Sequence, residues 1–179
     1  MRDTILRWMD RLYLLCMWIA GIGIVAMSLV IPWGVFARYV LGSGSQWPEP
    51  VAIMLMTVFT FFGAAVTYRA AGHIAVETLT QAVSAAWRRR LEVASDLLML
   101  ALSAFMAIWG LKLVVQTMGQ TLSDLPWLPV GISYLPLPLG SLITIVFIVE
   151  KIVFGPQHER PICRLEHHLD ETPVTAPEF

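Results

Sequence analysis

The stretch Leu12–Ala37, LYLLCMWIAGIGIVAMSLVIPWGVFA, contains no Asp, Glu, Lys or Arg. It is closed at both ends by arginine, Arg11 and Arg38. A helix needs about 20 largely apolar residues to cross the hydrocarbon core of a bilayer. An unpaired charge at that depth costs several kcal/mol, on the order of 3 or more. This run therefore reads as a membrane span. Three more charge-free runs follow, Pro50–Tyr68, Leu97–Leu111 and Leu125–Val149. Four spans account for most of the chain.

Composition agrees. The 179 residues are 57% hydrophobic and 14% charged, with a mean hydropathy of +0.69, too little charge to solvate a globular domain of this length. There is no basic stripe for nucleic acid and no acidic block. Cys16 falls in the first span and Cys163 in the polar tail, so the two are separated in depth and form no metal motif. Arg2, Arg7 and Arg11 before an apolar run also raise the question of a secretory signal. The run exceeds the apolar core of about 7–15 residues that a cleavable signal has, so we expect an anchor that is retained.

The fold expected is an all-α integral membrane protein. Its spans cover about 13–36, 51–68, 91–116 and 131–154, within a membrane domain at 12–154. Residues 1–11 form an N-terminal flank and 155–179 a polar tail containing Pro156, Pro161, Pro173 and Pro177. Asp96 and Lys112 lie near the ends of the third span, and snorkelling is expected to carry them to an interface. Ten of the twelve basic residues flank the same side of the four spans; only Arg38 and Lys112 lie on the other. The positive-inside rule then puts both termini and the middle loop in the cytoplasm. On a helix, Val76, Leu79, Val83 and Trp87 share one face, and Glu77, Gln81, Ser84 and Arg88 the opposite one. A short amphipathic helix at 74–87 is expected, seated on the membrane surface or packed on protein.

Residues that could carry chemistry are sparse. No ionisable group lies in the central stretch of a span, where pumps and ion pathways place theirs. No two spans present opposed histidines for a haem. His167 and His168 with Glu166 form a weak metal pattern, better read as a solvated tail. We find no internal repeat of the inverted-transporter kind. The turn between the first two spans is richer: Arg38 and Glu49 bracket it, and Trp47 suits the headgroup level. Small residues, Gly21, Gly23, Ala26 and Ser28 in span one and Gly63, Ala64 and Thr67 in span two, permit close helix approach. They predict packing within the chain or a seam with a second membrane protein. Pro32 predicts a kink that neighbouring helices accommodate.

Taken in order, Arg38-Tyr39, Trp47-x-Glu49, Phe61-Phe62-Gly63-Ala64-Ala65, Tyr68-Arg69 and Gly72-His73-Ile74 form a series. Leu128-Pro129, Tyr134 and Pro136-Leu137-Pro138-Leu139-Gly140 continue it. The series resembles the small membrane subunit (DctQ-type) of tripartite ATP-independent periplasmic (TRAP) transporters, over roughly 12–154. The chain departs at Pro50, where that family often has a second acidic residue. The resemblance implies a non-catalytic scaffold in a bacterial inner membrane, without a cofactor of its own. Its implied partners are a large multi-spanning subunit, which holds the sodium and substrate sites, and a periplasmic binding protein; membrane lipids surround it. The substrates implied are small carboxylates. Arg38, Tyr39, Trp47, Glu49, Gly63, Arg69 and His73 are the structural or partner-interface candidates. Rival readings are the membrane anchor of a redox or other enzyme complex, and a self-contained homo-oligomeric transporter.

Overall fold

Each of the four apolar runs becomes a helix, and what ends each helix is local chemistry. In the computed structural model, which describes residues 2–42, 46–70, 85–122 and 125–155, α1 spans Arg2–Tyr39, α2 Pro48–Arg69 and α3 Ala85–Thr117. A two-residue strand β1 (Thr121–Leu122) pairs antiparallel with β2 (Leu125–Pro129). A short helix α4 (Val130–Tyr134) leads into α5 (Pro136–Phe154). Pro48 sits in the first turn of α2, where its missing N–H costs nothing, and Glu49 beside it faces the positive end of the helix dipole. Arg69 in the last turn complements the negative end. Pro136 opens α5 in the same way, and Gly155, at φ +84°, stops it. Four helical segments, Thr4–Tyr39, Pro48–Arg69, Val93–Thr117 and Val130–Phe154, are long and apolar enough to cross a membrane. The expected all-α membrane fold is borne out.

Several boundaries differ from expectation. Residues 2–11 are not a separate flank but the first turns of α1, because the buried face of that helix continues through Leu6 and Tyr13. Helix α1 also runs through Pro32 without interruption. The expected surface helix at 74–87 lies outside the described residues up to 84, and residues 85–87 open α3 instead. The β1–β2 hairpin was not expected. The polar tail beyond Gly155, and His73, lie outside the described residues.

Helix α1 packs along α2, α2 also packs on α5, and α5 packs on α3, giving the order α1–α2–α5–α3, and α1 also reaches α5 through Tyr13 against Phe147 and Ile148. Along α1 the buried positions Leu6, Tyr13, Cys16, Ala20, Gly23 and Ala37, with half-buried Met9, Met27, Val30 and Gly34 between them, recur every three or four residues. That is the period of a helix seam, here lined in part by small side chains. Of the four small residues expected to pack in span one, Gly23 meets α2, against Leu55 and Phe59, and Ala26 is half-buried. Gly21 has nothing within 4 Å of its missing Cβ, and Ser28 is exposed. A turn of about 100° per residue separates them from the seam.

Glycine also sets the α2–α5 and α5–α3 approaches. A Cβ at Gly140 would lie 2.6 Å from the Cβ of Phe61 and 2.9 Å from its backbone oxygen. At Gly110 it would strike Leu137 and Pro138. Lipid tails are as apolar as the helices, so close packing must hold these helices together in place of a hydrophobic drive. Gly140→Val is therefore expected to push α2 and α5 apart and to destabilise by about 1–3 kcal/mol, the usual cost of overpacking. Gly21→Ala should not. Thermal unfolding of the detergent-purified variants checks both.

Candidate functional site

The charged residues at the terminal end of the helices, where α1 begins and α2 and α5 finish, are not surface decoration. Arg69 is 5% exposed, and its side chain reaches back between helices. Its Nε donates to Glu150 Oε2 at 2.8 Å and its Nη2 to Glu150 Oε1 at 2.8 Å, the fork-to-fork geometry only arginine can make. Nη2 also donates to Asp10 Oδ1 at 2.7 Å. The rings of Tyr13 and Phe147 flank the guanidinium, each with its centroid 5.3 Å from Cζ. Nη1 has no hydrogen-bond partner among the described residues. One side chain thus ties α2 to both α1 and α5.

A second cluster adjoins it. Tyr68 donates its hydroxyl to Asp96 Oδ1 at 2.9 Å, and Lys151 Nζ donates to the same oxygen at 2.6 Å while lying over the Tyr68 ring. This brings in α3. Asp96, near the end of its span, is held by Lys151 and Tyr68, which supply a charge and a hydrogen-bond donor. Lys112, at the other end of α3, lies 4.6 Å from the Trp109 ring centroid. Beneath the two clusters, Tyr13, Ala65, Tyr68, Phe147 and Ile148 form the buried apolar core.

At the opposite end, the turn between α1 and α2 brings Arg38 and Glu49 within 3.9 Å, with the two side chains 52% and 73% exposed. Such a pair contributes at most about 1 kcal/mol. Tyr39 and Trp47 are exposed beside it, and Pro48 is packed over Gly34. Arg38, Tyr39, Pro48 and Glu49 rim a groove of about 350 Å³ between α1 and α2. Gly63 faces no neighbouring helix: its missing Cβ meets only the Phe59 ring of its own helix, and Ala64 and Thr67 are exposed. Of the expected site residues, Arg38, Tyr39, Trp47 and Glu49 therefore gather at one end, Arg69 is buried at the other, and Gly63 lies on an open face.

Asp10 and Glu150 were not singled out from the sequence as partners of Arg69. The signal for them was their depth: Asp10, Arg69, Asp96 and Glu150 all fall at the same boundary of their spans. Among the described residues no group of three or more His, Cys, Asp or Glu is arranged to hold a metal ion.

The fold and the charge placement define a four-span membrane protein whose ionic groups lock helices together. The model of the family described as "Tripartite ATP-independent periplasmic transporters, DctQ component" matches residues 27–155. The chain belongs to that family, and is a DctQ-type small membrane subunit of a TRAP transporter. DctQ components work in tripartite complexes with a large membrane subunit and a periplasmic binding protein. No curated protein matches the chain.

Breaking a buried ion pair by removing one partner costs about 3–5 kcal/mol, because the other charge is left stranded. Arg69→Leu is expected to fall in that range, and Arg69→Lys to recover only part of the loss, since an ammonium cannot engage both Glu150 oxygens. Arg38→Ala should stay within about 1 kcal/mol of the parent. Thermal unfolding in one detergent ranks the three.

Proposed function

We propose that this chain is a non-catalytic brace for the large, multi-spanning subunit of a sodium-coupled uptake system for small carboxylates. It resides in a bacterial inner membrane with both termini cytoplasmic. The large subunit holds the sodium and substrate sites, and the binding protein delivers solute from the periplasm. The observation that carries the reading is how the described helices meet. Their meeting place is filled by packed side chains, Tyr13, Ala65, Tyr68, Phe147 and Ile148, and the charges of the described spans lie near helix ends, where they lock the chain to itself. A subunit braced in this way, with broad apolar faces exposed, is suited to hold a neighbour in place while another part of that neighbour moves.

The contact face we assign is the open side of α2. Thr60, Ala64 and Thr67 are exposed at helical spacing, and a Cβ at half-buried Gly63 beside them would meet, among the described residues, only the Phe59 ring of its own helix. Small residues let a second helix approach closely, and dispersion contacts then drive association within lipid. Arg38, Tyr39, Trp47 and Glu49 present the polar end of the same subunit at the periplasmic surface.

Co-expression with the neighbouring genes tests this. The tagged chain should co-purify with one large multi-spanning protein. Ala64→Trp should reduce its recovery by about tenfold, equivalent to a loss of about 1.4 kcal/mol, without lowering the melting temperature of the isolated chain. Recovery of the chain with no such partner, or solute uptake by vesicles holding this chain alone, would contradict the proposal.

A further inference from the structure

The groove between α1 and α2 at the turn end is unused by the bracing role, and its chemistry is of two kinds. Its walls are apolar, formed by Met27, Ile31 and Val35 of α1 and Ala52, Ile53 and Met56 of α2. Its mouth carries Arg38 and Glu49, which also line it and are more than half exposed. From Met27 to Arg38 the rise along α1 is about 16 Å. That is close to the depth of one leaflet, half of a hydrocarbon core about 30 Å thick. Water is a poor filling for the apolar part: a volume of about 350 Å³ has room for many molecules, each needing polar partners that only the mouth provides.

We infer that this groove binds a single aminophospholipid, with an acyl chain along the α1–α2 cleft, its phosphate on Arg38 and its ammonium on Glu49. The charges at the mouth match those of such a headgroup in sign. Arg38 and Glu49 stand 3.9 Å apart, longer than a direct charge-assisted hydrogen bond, so both keep capacity for a ligand that carries an anion and a cation in tandem. An anionic lipid without an ammonium group satisfies Arg38 but leaves Glu49 without a cationic partner. Trp47 and Tyr39, amphipathic and exposed at the same level, complete the headgroup shelf. The site differs from the small-residue face at Ala64, and the inference goes beyond the bracing role.

Native mass spectrometry of the delipidated full chain tests it, titrated with phosphatidylethanolamine and with phosphatidylglycerol of the same acyl chains. One phosphatidylethanolamine per chain should bind in preference to phosphatidylglycerol. Arg38→Ala should weaken it by about tenfold or more, as loss of a hydrogen bond to a charged group does. Glu49→Gln should remove the preference for the ammonium headgroup, and Ala52→Phe, which fills the cleft, should abolish one-to-one binding. Melting temperatures within error of the parent would show that the variants remain folded. Equal binding by the parent and Ala52→Phe, or equal affinity for both lipids in the parent, would overturn the inference. So would loss of the bound lipid when the chain is purified with its large partner, because a protein segment would then be the occupant.

Discussion

The contact on which the rest of this structure depends is the buried fork between Arg69 and Glu150. A set of helices in a bilayer gains nothing from hiding apolar surface, because lipid is as good a neighbour as another helix. A guanidinium at the membrane boundary is different. It must be hydrated, snorkel to the surface or find carboxylates. Here it finds two, on helices either side of its own, and two aromatic rings that cover its faces. The result is a fixed relation between α1, α2 and α5 that packing alone would leave loose. Asp96, shared by Tyr68 and Lys151, extends that relation to α3.

Charge at one end and glycine along the length divide the work. Gly110 and Gly140 let helices approach where a side chain would hold them apart. The ionic clusters then set which ends meet. Together they fix the order of the helices and leave broad apolar surface exposed. That geometry suits membership of a multi-subunit transporter better than independent transport, since most of the apolar surface remains available to lipid or to another protein. At the turn end the same helices diverge around a cleft, and the Arg38–Glu49 pair remains open to its surroundings.

Much of the fold was legible in the sequence, and the reason is physical. Charge cannot be placed at random within hydrocarbon, so four charge-free runs reported four spans directly. The motif series from Arg38 to Gly140 identified the family, which the match over residues 27–155 bears out. What escaped was pairing. Arg69 and Glu150 lie 81 residues apart, and each was read as the flank of its own span. Whether an end charge points to solvent or to a neighbour depends on the order in which the helices pack, which hydropathy does not encode. The partners of Asp96 escaped for the same reason. The small residues of α1 were half understood: Gly23 lies on the seam and Gly21 does not, a matter of two positions and about 200° of helix rotation. The hairpin at 121–129 was missed because its Pro-rich second strand read only as the approach to the last span.

The central claim, that Arg69 sets the spacing of the terminal helix ends, is open to direct measurement. Spin labels at the exposed positions Trp8 on α1 and Ile152 on α5 would report that spacing by pulsed electron resonance, with Arg69 intact and with Arg69→Leu. A narrow distance distribution that broadens on removing the guanidinium is the result this account predicts. The same narrow distribution in both proteins would contradict it, and would mean that packing alone positions those helices.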